Sequence, residues 1–235
     1  MPAIYERELK AYFKSPVAYI VIGFFILLTS VFYYLGNIYT RSADLSSLFG
    51  NMGIFLLFIT PLLTMKSLSE DRKIGTEVLL TTSPTKLYSI VLGKYLASLS
   101  VFLVITLITL IYPVILSFYS RPSVFHILGG YLGFIFLGAS MLSVGVFASS
   151  LTENQIIAAV ISFVSLLIIM VLQPFGFMAG GIISKIMNWF SLFSRFDDFG
   201  RGILDLRPII YYLSFVFVFL FLTVRVLEKR SWSRG

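Results

Sequence analysis

Six long stretches of the sequence, 15–40, 45–65, 95–120, 122–152, 154–184 and 208–224, contain no Asp, Glu, Lys or Arg. An α-helix rises about 1.5 Å per residue, so about 20 apolar residues cross a hydrocarbon core of roughly 30 Å. Lipid offers no hydrogen-bond partner, and a helix satisfies its own backbone. The first four stretches each hold one span, expected at 17–38, 45–65, 90–118 and 124–150. The fifth is too long for one helix, and Gln173 with Pro174 is expected to interrupt it. That gives a span at 155–172, then an outer re-entrant or interfacial segment at 174–206 with a short helix near 182–193. The sixth span is expected at 207–226, with Asp205 as its cap and Pro208 in its first turn. The fold class read from this pattern is an all-α integral membrane protein, a single domain over 1–235 with six transmembrane helices.

Composition and charge fit that class. The 235 residues are 58% hydrophobic and 12% charged, with a mean hydropathy of +0.94, whereas soluble domains carry about 25% charged residues. Eighteen Lys+Arg against eleven Asp+Glu give +7. In a membrane protein this excess marks cytoplasmic segments rather than nucleic-acid binding. Arg7, Lys10, Lys14, Lys66, Arg72, Lys73, Lys86, Lys94, Arg225, Lys229, Arg230 and Arg234 fall on the side of the N-terminus. Arg41, Arg121, Lys185, Arg195, Arg201 and Arg207 fall on the other. The bias places both termini in the cytoplasm of a multi-pass inner or plasma membrane protein. The turn at 152–154 is assigned inside by the count of spans, without a basic residue of its own.

Residues 2–15 read as an amphipathic interfacial helix rather than a cleaved signal. Tyr5, Leu9, Tyr12 and Phe13 share one face, and Glu6, Lys10 and Lys14 another, a pattern suited to lying flat on the membrane surface. In the fourth span, Gly129 and Gly133 have the spacing of a close helix contact, and Gly138 continues the run of small residues; helix packing is the expected role.

Several chemistries fail on inventory. The chain has no cysteine and one histidine, His126, which removes disulfides, thiolate sites and histidine triads. Gly93-Lys94 lacks the earlier glycine of a phosphate-binding loop, so no ATP-hydrolysing site is expected here. No catalytic residue, metal ligand or cofactor site is assigned. No charge falls in the middle of an expected span, which argues against a proton-driven carrier. The inner loop 69–84 is the remaining candidate. Its polar part holds Glu70, Asp71, Arg72, Lys73 and Glu77, with Lys73 and Glu77 one helical turn apart. Val78, Leu79 and Leu80 form an apolar patch, and Pro84 closes the segment. This suits docking on a soluble partner, and equally a solvated loop.

These residues resemble the coupling segment of permeases in the type-2 ABC transporter superfamily. The pattern there is an acidic start, Gly-Thr, a Glu, paired leucines and a proline, matched by Glu70, Gly75-Thr76, Glu77, Leu79-Leu80 and Pro84. Many members carry the Glu two residues after the Thr; Val78 stands there in this chain. Residues 6–13 with Ser15-Pro16 are similar to the family's leader. Residues 196–199, 201–205, 211–213 and 228–230 most resemble the gliding-motility and nitrous-oxide-reductase-maturation branch.

The resemblance implies a half-transporter that pairs with a second copy or a paralogous permease in the lipid bilayer. Each half would sit on a cytoplasmic ABC ATPase subunit, with ATP and Mg held by that partner. Glu70, Asp71, Arg72, Gly75, Thr76, Glu77, Leu79 and Leu80 would then couple to the ATPase. Pro174, Gly180, Gly181, Ile186 and Trp189 would form an outer gate or static lid. The expected function is an ATP-driven exporter's membrane subunit. A membrane scaffold of a surface or motility machine and a stand-alone secondary carrier are the alternatives, and a membrane enzyme is disfavoured by the missing His and Cys.

Overall fold

Helix α1 (Pro2–Lys14) ends at Ser15, whose hydroxyl accepts a hydrogen bond from Val17 N at 3.3 Å as α2 (Pro16–Tyr33) begins. Pro16 suits that first turn because its missing N–H would have had no helical partner. The computed structural model describes residues 2–75, 86–120, 122–179, 181, 191–200 and 206–233. After α2 come a π-helical stretch (Tyr34–Tyr39), α3 (Ser46–Thr64), α4 (Ser69–Ile74), α5 (Leu87–Thr109), α6 (Ile111–Ser117), α7 (Val124–Leu151), α8 (Gln155–Ala179), α9 (Leu192–Gly200) and α10 (Leu206–Ser233). No strand occurs among the described residues. Among the described residues, six helices are long and apolar enough to cross a membrane, so the chain is an all-α, multi-pass membrane protein.

Helix α7 is the hub. In its most apolar window 72% of residues are buried, against 17% in the windows of α8 and α10. Four glycines let neighbours reach its backbone. A Cβ at Gly130 would stand 2.2 Å from the Phe49 ring, at Gly133 2.6 Å from Phe199 Cβ, at Gly138 2.2 Å from the Phe102 ring, and at Gly145 2.2 Å from Thr64 Oγ1. Lipid tails are as apolar as leucine side chains, so close van der Waals packing of this kind is what holds spans together. Phe134 of α7 stacks on Phe25 at 6.1 Å and meets Phe102 at 5.2 Å, joining α2, α5 and α7. Two tyrosine hydroxyls reach in among the spans to backbone carbonyls: Tyr131 donates to Thr109 O at 2.7 Å and Tyr95 to Ala139 O at 3.1 Å.

One expectation from the sequence changes here. Helix α8 does not stop at Gln173-Pro174 but runs on through Pro174 to Ala179; a proline in a spanning helix is tolerated where neighbours re-satisfy the backbone. The short interfacial or re-entrant helix expected near 182–193 lies mostly outside the described residues. Its neighbour α9 packs one face into the bundle: Leu192 and Phe199 are fully buried. Phe193 and Phe196 close on Gly53 of α3, and Tyr212 of α10 donates to Leu192 O at 2.7 Å. The chain therefore re-enters the bundle before its last span.

Candidate coupling site

The site is built where α1 crosses the start of α5. Gly93 makes that crossing possible, since a Cβ there would stand 3.1 Å from Ile4 Cγ2 and 3.4 Å from Tyr5 N. Tyr5 and Ser100 hydroxyls lie 2.9 Å apart, and Tyr12 donates to Leu63 O of α3 at 2.5 Å. Burial, with the Glu8 and Glu70 charges adding to it, raises the Tyr12 phenol well above its usual range, so it remains a neutral donor. These bonds fix α1 across α3 and α5.

The next residue of α5, Lys94, is only 2% exposed. Its Nζ lies 2.6 Å from Asp71 Oδ2 and 3.0 Å from Glu8 Oε1, and it donates to Ser67 O at 2.5 Å. Arg7 Nη2 lies 2.7 Å from Glu8 Oε1 and 3.7 Å from Asp71 Oδ1. Two cations and two carboxylates thus balance across α1, α4 and α5. Isolated, a buried ammonium would be strongly disfavoured; paired with two carboxylates and donating hydrogen bonds to Glu8 and the Ser67 carbonyl, it is tolerated. Glu8 holds Arg7 above its ordinary pKa, its hydrogen bond outweighing the opposing effect of partial burial.

A second bridge leaves the same short helix in the other direction. Arg72 Nη2 lies 2.7 Å from Glu153 Oε1 in the turn between α7 and α8. Consecutive residues of α4 therefore hold opposite parts of the bundle, Asp71 the α1–α5 side and Arg72 the α7–α8 side. The helix then stops: Gly75 adopts φ +80°, a left-handed cap that glycine takes without a Cβ penalty. Lys73, Ile74 and Gly75 are exposed, Ile74 at 67%.

The structure sorts the residues expected from the sequence. Glu70, Asp71, Arg72 and Gly75 share α4 and its cap. Asp71 faces inward, to Lys94 and Arg7. The helical turn expected to join Lys73 to Glu77 ends at Ile74. Thr76, Glu77, Leu79 and Leu80 lie outside the described residues, as do Gly180, Ile186 and Trp189. Pro174 is exposed within α8, and Gly181 is exposed at φ +62°. Gly133 and Gly138 meet Phe199 and Phe102, and Gly129 is buried.

Sequence reasoning missed Lys94 as a site residue, together with Glu8 and Glu153. Their only signal was Gly93-Lys94 itself: a small residue beside a lysine at the start of a span, which reads as a failed phosphate loop. Here the glycine admits α1 and the lysine holds it.

Comparison with curated proteins found no match. The family model described as ABC-2 type transporter matches residues 2–206, from α1 through α9 to the first residue of α10. The chain, a membrane permease component, belongs to the ABC-2 type transporter family.

Proposed function

We propose that this permease is the membrane half of an ATP-driven exporter, works as a pair, and receives the ATPase stroke through α4. The family implies partnership with ABC ATPase subunits; what is added is the direction, the pairing and the route. The observation that carries the route is the division of labour within α4. Its base is bonded to α1, α5 and the α7–α8 turn through Asp71 and Arg72, while its tip presents Lys73, Ile74 and Gly75 to solvent. A helix exposed at its tip and bonded to three structural units at its base transmits a push to all of them at once. The Leu79-Leu80 patch would supply the apolar contact with the ATPase groove, the ATPase itself holding the ATP and Mg. In this reading the α4 end of the bundle, with both termini, is cytoplasmic.

The test uses the purified permease–ATPase complex in lipid vesicles. Leu79→Asp with Leu80→Asp should lower ATPase binding and ATP-dependent substrate movement together. A burial of about 1.5–3 kcal/mol per leucine is at stake. Unchanged binding and stimulation would remove α4 and its loop from the coupling route. Because native cysteine is absent, cysteines introduced at 73 and at 43 can be labelled from outside with an impermeant reagent. Only the second should react in intact cells.

A further inference from the structure

The third span, α5 with α6, is broken, and the break carries its own hydrogen-bond donors. Pro113 of α6 has no N–H, so the carbonyl four residues back, Thr109 O, loses its helical partner. Leu110, between α5 and α6, has ψ −14°, far from the about −42° of an α-helix. Its N–H donates to Leu107 O at 3.2 Å, three residues back instead of four. Hydroxyls meet both carbonyls left over. Thr109 Oγ1 donates to Thr106 O at 2.7 Å, and Tyr131 of α7 donates to Thr109 O at 2.7 Å. Thr106, Thr109 and Tyr131 are buried, where a carbonyl without a donor is costly.

The two sides of the break are tied to different helices. Helix α5 belongs with the hub α7, through Tyr95 on Ala139 O and Phe102 against Gly138. Helix α6 belongs with α2. The Tyr112 hydroxyl lies 2.7 Å from Thr29 Oγ1 and 3.0 Å from Ser30 Oγ. Tyr33 stacks on the Tyr112 ring at 4.9 Å and donates to Tyr112 O at 3.1 Å. Just past Tyr33, α2 widens into its π-helical stretch, a form often found at functional sites. Between that stretch and α6 lies a cavity of about 460 Å³, lined by Asn37, Arg41, Leu116 and Tyr119 among others. Ile111, Val114 and Phe118 are each more than half exposed, so the rest of the bundle does not clamp α6. We propose that Leu110 is a hinge at which α6 swings with the adjoining part of α2 against α5 and the hub, and that Tyr131 is the positioning residue that keeps it free. An intact helix resists bending because each bend stretches a backbone hydrogen bond. Here the bond that would cross the break is missing, and its acceptor is served from α7 whichever way α6 lies. Its use in transport, moving α2 and α6 while α9 keeps its packing, rests on the reading above; the swing itself does not.

Pulsed electron–electron double resonance of the full chain in nanodiscs tests the swing. Native cysteine is absent, so introduced cysteines at exposed positions carry the labels. Val114→Cys on α6 or Leu107→Cys on α5 is paired with Leu213→Cys on α10, the labelled chain being diluted in unlabelled chain. The α6 pair should give two distances and the α5 pair one. Pro113→Ala restores the missing N–H and should lower the minor α6 population about fivefold, the worth of one hydrogen bond. Leu79→Asp with Leu80→Asp should leave that population unchanged, so loss of ATPase docking and loss of the swing are read apart. Unfolding measurements test Tyr131. Tyr131→Phe should lower the folding equilibrium constant roughly tenfold by baring a buried carbonyl. In the Pro113→Ala background it should hardly change it, because Thr109 O then has a helical donor. One distance for both pairs, a minor population unmoved by Pro113→Ala, or an equal cost of Tyr131→Phe in the two backgrounds overturns the proposal.

Discussion

The two ends of this bundle are held by opposite kinds of chemistry. At the α1 end, three charged side chains from α1 and α4 meet around a lysine of α5 that is 2% exposed. At the other end, α9 is held by rings pressed on glycine backbone, Phe199 on Gly133 and Phe193 on Gly53, with one hydroxyl, Tyr212, tying its start. Ion pairs couple distant segments by identity: remove one partner and the others are left charged and poorly hydrated. Ring-on-glycine contacts couple by shape, degrade more gradually, and leave no charge stranded. An end that must transmit a displacement between helices gains from the first kind; an end that only keeps its packing needs no more than the second.

The largest effect should come from breaking the ion junction from the middle. Lys94→Met leaves Glu8 and Asp71, each 16% exposed, without their buried cation and sharing only Arg7, which is half exposed. The expected loss is about 3–5 kcal/mol of stability in detergent or nanodisc. Adding Glu8→Gln and Asp71→Asn should restore most of it, because the buried charges are then neutralised together and Arg7, half exposed, keeps its hydration. Denaturant or thermal unfolding of the three proteins checks both statements. A loss under about 1 kcal/mol in Lys94→Met would mean that the junction is hydrated and weakly coupled.

The opposite end is broken by volume. Gly133→Val should cost about 1–3 kcal/mol by overpacking against Phe199, since that contact is with Cβ, next to the backbone, and not with a side-chain tip that can swing away. Protease sensitivity of residues 191–200 should rise, while the α1–α4–α5 junction, separate from it, is unaffected. Combined with Lys94→Met, the losses should add to within about 0.5 kcal/mol.

The same contrast explains what could be read in advance. Charge-free length is a local property, so six spans and an all-α membrane fold were legible. Pro174 misled because a proline removes one helical hydrogen bond and so reads as a stop, whereas a spanning helix carries on through that local cost with small backbone adjustments. Lys94 was hidden because a basic residue at the start of a span is expected at a cytoplasmic boundary. Only the fold brings Glu8, 86 residues away in sequence, against it. Asp71 and Arg72 stood out as charged members of a short loop. That they point to opposite sides of the bundle depends on the phase of a helix only six residues long. Gly130 escaped notice beside Gly129, because spacing alone does not say which of two adjacent glycines faces Phe49.

Tyr212→Phe tests the polar tie at the α9 end. It deletes the 2.7 Å bond to Leu192 O and keeps the ring, which stacks on Phe136 at 6.1 Å. About 1 kcal/mol should be lost, less than either change above. A much larger loss would show that the α9 end, too, depends on a buried polar partner.

The smallest stability effect and the sharpest functional one should come from the Arg72–Glu153 bridge. Its partners are 22% and 54% exposed, so the pair is screened by water and salt and contributes about 0.3–1 kcal/mol. A double-mutant cycle with Arg72→Ala and Glu153→Ala should report a coupling energy of that size, shrinking further in about 1 M salt. The same bond nevertheless links α4 to the α7–α8 turn, so cutting it should detach α8 from any displacement of α4. In the permease–ATPase complex, each single variant should keep ATPase binding and lose much of the substrate movement per ATP hydrolysed. Arg72→Glu combined with Glu153→Arg, which restores the pair in reverse, should recover that ratio. If the reversed pair forms and the ratio stays low, the α7–α8 turn is not on the route, and the stroke passes through the Lys94 junction alone.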